Sequence, residues 1–542
     1  MFTRRQFLRR SSSPLLASLG CSIKCVGSIE ALTPIETRAD DSANKFGELL
    51  NALRERTRLP AVAAVIVSGN QSLVQGVAGR KRVDRPDAVP LNAHWQLGSI
   101  TKTFTATLTA VLVEKGKLDW DTKVVDVYPQ LSSVMAPNVG QITIRLLVEH
   151  RSGMGADAFP WEGAPEINQR GLTLSQRRQR SVPLALRAPL DFPPGTRSQY
   201  SNRAYNLLGA VLERVAGRPW EDLIVNELAR PLGLGSVVFG EPAFVDPNGE
   251  PWPHLLENHR WKPVAPVPPT MYGYHVCNPA GGISLTLPGV ARWMQAHLNG
   301  ELTSSVLSTD MFKTIHTTRE DGGVPALFVN SKSLALGRSL THNGSNSRNY
   351  ANMMILPERG VGVFFATNAV PPENTPANWL VWNTLLARAL PGRWPRPALR
   401  PPAPNSEGSI EGEALQVAKL TGGNIDFQNF KQLSGGFQIW WSGAKEGDTL
   451  VLRLQLPRAG KYSLQGVFAR NRDFGNVTIR VGNLERSLNF HSQRLSWAQV
   501  SLGECTLNAG PQDLTVVANG SAGQNGVACH LGLDTLSLRA ID

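Results

Sequence analysis

Residues 390–408, LPGRWPRPALRPPAPNSEG, carry six prolines in nineteen positions. Proline lacks an amide proton and fixes its own φ, so neither a helix nor a central strand runs through such a segment. The chain of 542 residues is also too long for one core. The two facts predict a body over 42–390, an extended semi-rigid spacer over 391–408, and a second body over 409–542.

The two bodies differ in texture. Before the prolines, the apolar pattern predicts a helix over 43–56 and a hairpin over 62–79 that turns at Gly69 and Asn70. A second hairpin is expected over 349–369, turning at Glu358, Arg359 and Gly360, with helices over 204–215 and 289–298 between the two. Strands at both ends and helices between them predict an α/β (α+β) domain. Its antiparallel sheet is closed by the two ends of the region and flanked by helices, and a helical lobe is inserted in the middle. After the prolines, TLVLRLQLP alternates Leu450, Leu452, Leu454 and Leu456, and VTIRVGN, DLTVVANG and LDTLSLRA behave alike. Short alternating runs separated by turns predict an all-β sandwich of jelly-roll type.

The first residues read as an address. TRRQFLRR, residues 3–10, followed by a short apolar stretch, predicts a twin-arginine export signal over 1–31, with Ala31 at the cleavage point. That places the mature chain in the periplasm or cell envelope. The signal accounts for four of the twelve net positive charges, and no run of Lys and Arg is interleaved with aromatics, so nucleic acid is not an expected partner. Arg177, Arg178, Arg180 and Arg187 read as a solvated face, or as a patch that attracts an anionic substrate. Cys277, Cys505 and Cys529 lie outside the signal; Cys505 and Cys529 either pair or stay as buried thiols. No cysteine or histidine spacing suits a metal, and no cofactor motif is present. No uncharged apolar run reaches the ~20 residues of a membrane-spanning helix.

The chemistry centres on GSITKTFTATLTAVLVEKG, residues 98–116. Ser99 opens an amphipathic helix whose apolar face holds Ile100, Phe104, Leu108, Val111 and Leu112. Lys102 follows one turn later on the same side. Burial lowers a lysine pKa by up to ~3–5 units, so its amine can take a serine proton. Such a pair alone is common, and Ser442 with Lys445 repeats it in the tail. Two further motifs change its weight. PPGTRSQYSN brings Tyr200, Ser201 and Asn202 to the start of a helix, and LTHNGSNSRNYAN brings His342, Asn343 and Gly344 to the end of a strand.

Ser-x-x-Lys, then Tyr-x-Asn, then a basic residue-x-Gly, in that order within one domain, resembles the class C β-lactamase, D-alanyl-D-alanine carboxypeptidase and esterase group of serine hydrolases. LGSITKTFTA, ITIRLLVEHRSGM, PPGTRSQYSN and PAGGISLT carry the resemblance over roughly residues 45–390. It implies Ser99 as nucleophile and Lys102 with Tyr200 as its proton relay. It implies Asn202 on the substrate amide or the lysine, Gly344 as a site of close approach, and the backbone N–H groups of Ser99 and Ser345 as the oxyanion hole. A tyrosinate beside a protonated lysine is expected to act as base. His342 stands where many relatives have lysine. Near its ordinary pKa of ~6.5 it is mostly neutral at pH 7, which favours esters or neutral amides over β-lactams and peptide carboxylates. His150 and His275 read as structural. The tail resembles galactose-binding-like domains; Trp440, Trp441, Tyr462 and Phe474 either form a carbohydrate platform or fill the sandwich core. A cell-envelope binding protein that keeps the fold and turns over slowly is the alternative to an enzyme.

Overall fold

The computed structural model describes residues 43–541 apart from 70, 156–163, 168, 268–273, 318–328, 334–335, 373–374 and 521–528; the expected export signal lies outside the described residues. Asp41–Asp542 form one compact unit.

The strand Ala61–Ser68 explains the main sheet. Its side chains alternate between two cores: Ala61, Ala63, Val65 and Val67 enter one, and Val62, Ala64 and Ile66 the other. A strand buried on both faces reads as an unbroken apolar run, as AVAAVIV does. It pairs antiparallel with Gln71–Gly79 on one side and with Val361–Thr367 on the other, Val65 facing Phe364. The sheet continues through Tyr350–Leu356 and Gly337–Ser345 to Val329–Ser333. The two ends of the region thus lie side by side, as the sequence predicts. Helices Ala43–Thr57 and Ala377–Ala389 cover one face. Thr101–Glu114, Asn202–Ala216 and Leu287–Asn299 pack on the other, with the inserted lobe beyond them.

A small three-stranded sheet, His94–Gln96, Ile283–Thr286 and Val237–Phe239, holds the approach to Ser99. No described helix is long and apolar enough to cross a membrane.

The C-terminal region is all β. One sheet runs Asn424–Asn429, Phe437–Ala444, Cys529–Ala540, Gly460–Arg470, Ser496–Leu507, and the other Gln416–Leu420, Thr449–Leu456, Gly510–Ala518, Asn476–Val481, Leu484–Asn489. Leu450, Leu452, Leu454 and Leu456 point into the core between them, with Trp441, Tyr462 and Phe474. Those three aromatics are at most 5 % exposed, so they form no surface platform; Trp440 lies half-buried against His530. Cys505 and Cys529 are separate buried thiols.

The proline segment is a packed strap rather than a spacer. Trp394 stacks edge-on against Phe427 and Phe437 and donates its Nε1–H to Asn383 Oδ1 at 2.8 Å. Gln416 and the Gln455 amide donate to the carbonyls of Leu399 and Pro402. Proline-rich backbone keeps its carbonyls free, and here the sandwich supplies the donors.

Candidate active site

Ser99 sits in a 3-10 turn, Gly98–Ile100, that feeds the helix Thr101–Glu114. The small sheet fixes both flanks: Leu97 N–H donates to Ile283 O at 2.9 Å, and Ile283 N–H donates to Thr101 Oγ1 at 3.0 Å. The helix is not amphipathic in place, because Thr101 through Leu112 are all buried. Its polar face is threonine, and threonine hydroxyls find backbone partners. Thr103, Thr107 and Thr109 donate to carbonyls one turn back, and Thr105 donates to Pro279 O at 2.6 Å. A helix with satisfied hydroxyls can be central without charged groups.

Lys102 is fully buried on this helix. Its Nζ lies 2.7 Å from Asn202 Oδ1, 2.7 Å from Ala280 O and 3.3 Å from Ser99 Oγ. No carboxylate is among these partners. Burial lowers its pKa to about 7, with the thiol of Cys277 opposing. Tyr200 lies over the same amine, Nζ standing 4.7 Å from the ring centroid. The phenol is hydrogen-bonded with Ser99 and keeps 43 % of the residue's surface open. Desolvation raises it to about 12, the bond with Ser99 opposing. Burial thus favours the neutral form of each group, the amine by lowering its pKa and the phenol by raising it, whereas the sequence expectation was a charged pair. Desolvation penalises whichever form is charged, so it neutralises both groups, whereas the attraction between tyrosinate and ammonium needs both charged.

Asn202 begins the helix Asn202–Ala216, capped by Ser201 Oγ, which accepts from Ala204 N. The cap orients the first turn, and with it the carboxamide that meets Lys102. Ala280 lies in the last turn of a short helix, Tyr274–Gly281, braced from behind. Asn278 donates to Glu221 at 2.8 Å, and Arg178, fully buried, grips Glu221 at 2.8 and 3.0 Å and meets Glu213 at 3.3 Å. Arg178 is thus no surface cation. Arg177 is buried too and donates to the carbonyls of Ile167, Gln169 and Leu172.

The strand Gly337–Ser345 forms the opposite wall. A β-carbon at Gly344 would stand 1.9 Å from Leu97 O and 2.7 Å from Ser99 N, and one at Gly98, where φ is +51°, would stand 2.5 Å from Ser345 N. Two glycines thus let the backbones that carry the Ser99 and Ser345 amides touch. The close approach at Gly344 is to the serine turn itself. His342 Nδ1 meets Asn343 O at 2.5 Å, which fixes the proton on Nδ1 and leaves Nε2 an acceptor. Burial, with Lys102 adding to it, lowers His342 to about 4, so the ring is neutral at pH 7. Beyond the strand, buried Glu241 accepts from Val267 N at 2.8 Å and Asn346 Nδ2 at 3.1 Å and pairs with Arg348.

Ser99, Lys102, Tyr200 and Asn202 are therefore brought together, and Gly344 and Ser345 abut them. The Ala280 carbonyl and the Arg178–Glu221 brace were not read from sequence. PAGGISLT contained the first, but a backbone acceptor has no residue-type signal. The second is split between positions 43 apart.

The site sits in a region, residues 46–386, that matches the family model described as Beta-lactamase. The chain is 33% identical over 194 residues to Penicillin-binding protein 4 of Amycolatopsis lactamdurans, covering 34% of this chain and 46% of that one. It is 34% identical over 196 residues to Esterase EstB of Burkholderia gladioli, covering 34% and 47%. To D-alanyl-D-alanine-carboxypeptidase/endopeptidase AmpH of Escherichia coli (strain K12) it is 22% identical over 324 residues, covering 57% and 80%. The chain thus spans about half the length of the first and second of these relatives. Among solved structures, that of SurE superposes with a TM-score of 0.52 at 21% identity, covering 76% of this chain and 90% of that one, a likeness of fold. With more than half of its residues inside the family model, the chain belongs to the Beta-lactamase family, whose carboxypeptidase and esterase members are hydrolases.

Proposed function

We propose that this chain is an exported serine hydrolase that cleaves a short ester or neutral amide through an acyl-enzyme on Ser99. The observation that carries the reading is the set of partners around Lys102. A neutral amine has two N–H groups and one lone pair. Asn202 Oδ1 and Ala280 O, both at 2.7 Å, take the two N–H groups, and the lone pair is left for the Ser99 hydroxyl at 3.3 Å. Because the pKa is about 7, much of the enzyme holds that form at neutral pH.

In this mechanism Lys102 takes the Ser99 proton as the serine oxygen bonds to the substrate carbonyl. The amides of Ser99 and Ser345 hold the oxyanion. The ammonium then returns the proton, through the neutral Tyr200 hydroxyl, to the leaving oxygen or nitrogen as that bond breaks. Water reverses the sequence and releases the acid. A neutral His342 offers no charge to a substrate carboxylate, which supports esters and neutral amides; the name of the esterase relative agrees. The periplasmic or cell-envelope setting belongs to the same proposal. So does the galactose-binding-like reading of the tail, taken as a packing partner because three of its four candidate sugar-stacking aromatics are core.

A panel of p-nitrophenyl esters, nitrocefin and D-Ala-D-Ala peptides, with Ser99→Ala as blank, tests the reading. Short esters are expected to be the fastest. Nitrocefin ahead of every ester overturns the substrate assignment. No turnover and no acyl adduct on folded protein favours the binding-protein alternative.

A further inference from the structure

The loop at HRSG does more than connect helices. His150 has φ of +56°, a left-handed conformation that a residue with a β-carbon seldom adopts. Its carbonyl accepts the Gln199 N–H at 2.8 Å, and its ring Nδ1 accepts the Ser201 N–H at 3.1 Å. Both neighbours of Tyr200 are therefore tied to this one residue. The imidazole also lies against the Tyr200 ring, centroids 4.6 Å apart and planes at 34°, and against Tyr205 at 5.0 Å. Tyr205 is itself fixed, its hydroxyl donating to Val148 O at 3.0 Å. The rest of the loop is laced to the chain on both sides of Tyr200: Asp191 N–H donates to Gly153 O and Gly195 N–H to Arg151 O, each at 2.8 Å, and Ser201 Oγ donates to Gly155 O at 2.9 Å.

We propose that His150 is a positioning residue for the proton relay, clamping the backbone on both sides of Tyr200 and backing its ring so that the phenol stays on Ser99. The inference rests on the reading of Tyr200 as part of that relay. The clamp needs Nδ1 unprotonated, since it accepts an N–H. Burial keeps the ring neutral, and the nearby Lys102 and His342 act in the same direction. A left-handed backbone is the geometry that aims carbonyl and ring toward the same strand of chain, which gives the strain a use.

The test uses His150→Gly, His150→Asn and Tyr200→Phe in the full chain, assayed with p-nitrophenyl butyrate. Glycine suits the left-handed φ, so His150→Gly is expected to fold while losing the clamp. Misplacing a reacting group by ~1 Å costs up to ~10²-fold, so kcat is expected to fall roughly ten- to a hundredfold with KM within about twofold. Asparagine also tolerates this φ and keeps an acceptor, so His150→Asn is expected to recover part of kcat. In the Tyr200→Phe background His150→Gly is expected to cost little more. Wild-type kcat in His150→Gly, or an equal loss with and without the Tyr200 hydroxyl, overturns the proposal. An unchanged kcat in Tyr200→Phe alone instead overturns the relay reading. If His150→Gly does not fold, the same cycle run with His150→Leu and His150→Asn decides, a partial recovery in asparagine only being the expected result.

Discussion

Lowering the pH from 9 to 5 should switch off acylation by charging one buried amine. Lys102 is fully buried, meets two carbonyl oxygens and a hydroxyl, and has its pKa lowered to about 7. The sign follows from the role: a base must be unprotonated, and an ammonium with a lowered pKa is unprotonated above that value. The rate therefore rises with pH. At pH 5 roughly 1 % of the amine is neutral and at pH 6 roughly 10 %, so kcat/KM should fall about a hundredfold below its plateau, with unit slope. An ordinary lysine near 10.5 has only about 0.03 % neutral amine at pH 7, so burial raises the reactive fraction about 10³-fold. Tyr200, raised to about 12, should add no alkaline limb below pH 10. The assay is kcat/KM for a neutral p-nitrophenyl ester from pH 4.5 to 10, with spontaneous hydrolysis subtracted. An acid limb near 4 would point to His342 instead. A profile with no limb would refute Lys102 as the base.

Gly344→Ala should abolish measurable esterase activity, since its β-carbon collides with backbone atoms of Leu97 and Ser99 that no rotamer change can relieve; steady-state rates on folded protein check it. Arg178→Met should lower stability by about 3–5 kcal/mol by stranding buried Glu221 and Glu213; urea denaturation reads this directly. His342→Lys should shift preference toward substrates carrying a carboxylate at least severalfold, read as the ratio of kcat/KM for a carboxylated and a neutral ester, because it restores a cation where the native ring is neutral.

The main sheet was legible because strand Ala61–Ser68 is apolar at every position that reaches a core, and because Gly69 and Gly360 punctuate the two hairpins. The candidate site was legible where short motifs supply the side chains that the fold gathers, at Ser99, Lys102, Tyr200 and Asn202. Three features escaped for physical reasons. The helix behind Ser99 reads as half-exposed because threonine counts as polar, yet threonine hydroxyls can be satisfied within the helix. Arg178 reads as surface because arginine usually is, and only the fold brings Glu221 and Glu213 to it. The strap after residue 390 reads as a spacer because proline composition says nothing of what Trp394 will pack against. His150 belongs with these. Its ring reads as structural until Tyr200 is placed on it.

The decisive measurement is the site of covalent modification. Protein quenched during turnover of a slow p-nitrophenyl ester, or treated with a fluorophosphonate, is digested and the labelled peptide sequenced by mass spectrometry. The label is expected on Ser99, absent in Ser99→Ala and strongly reduced in Lys102→Met. A stoichiometric label on another side chain, retained in Ser99→Ala, would contradict the mechanism.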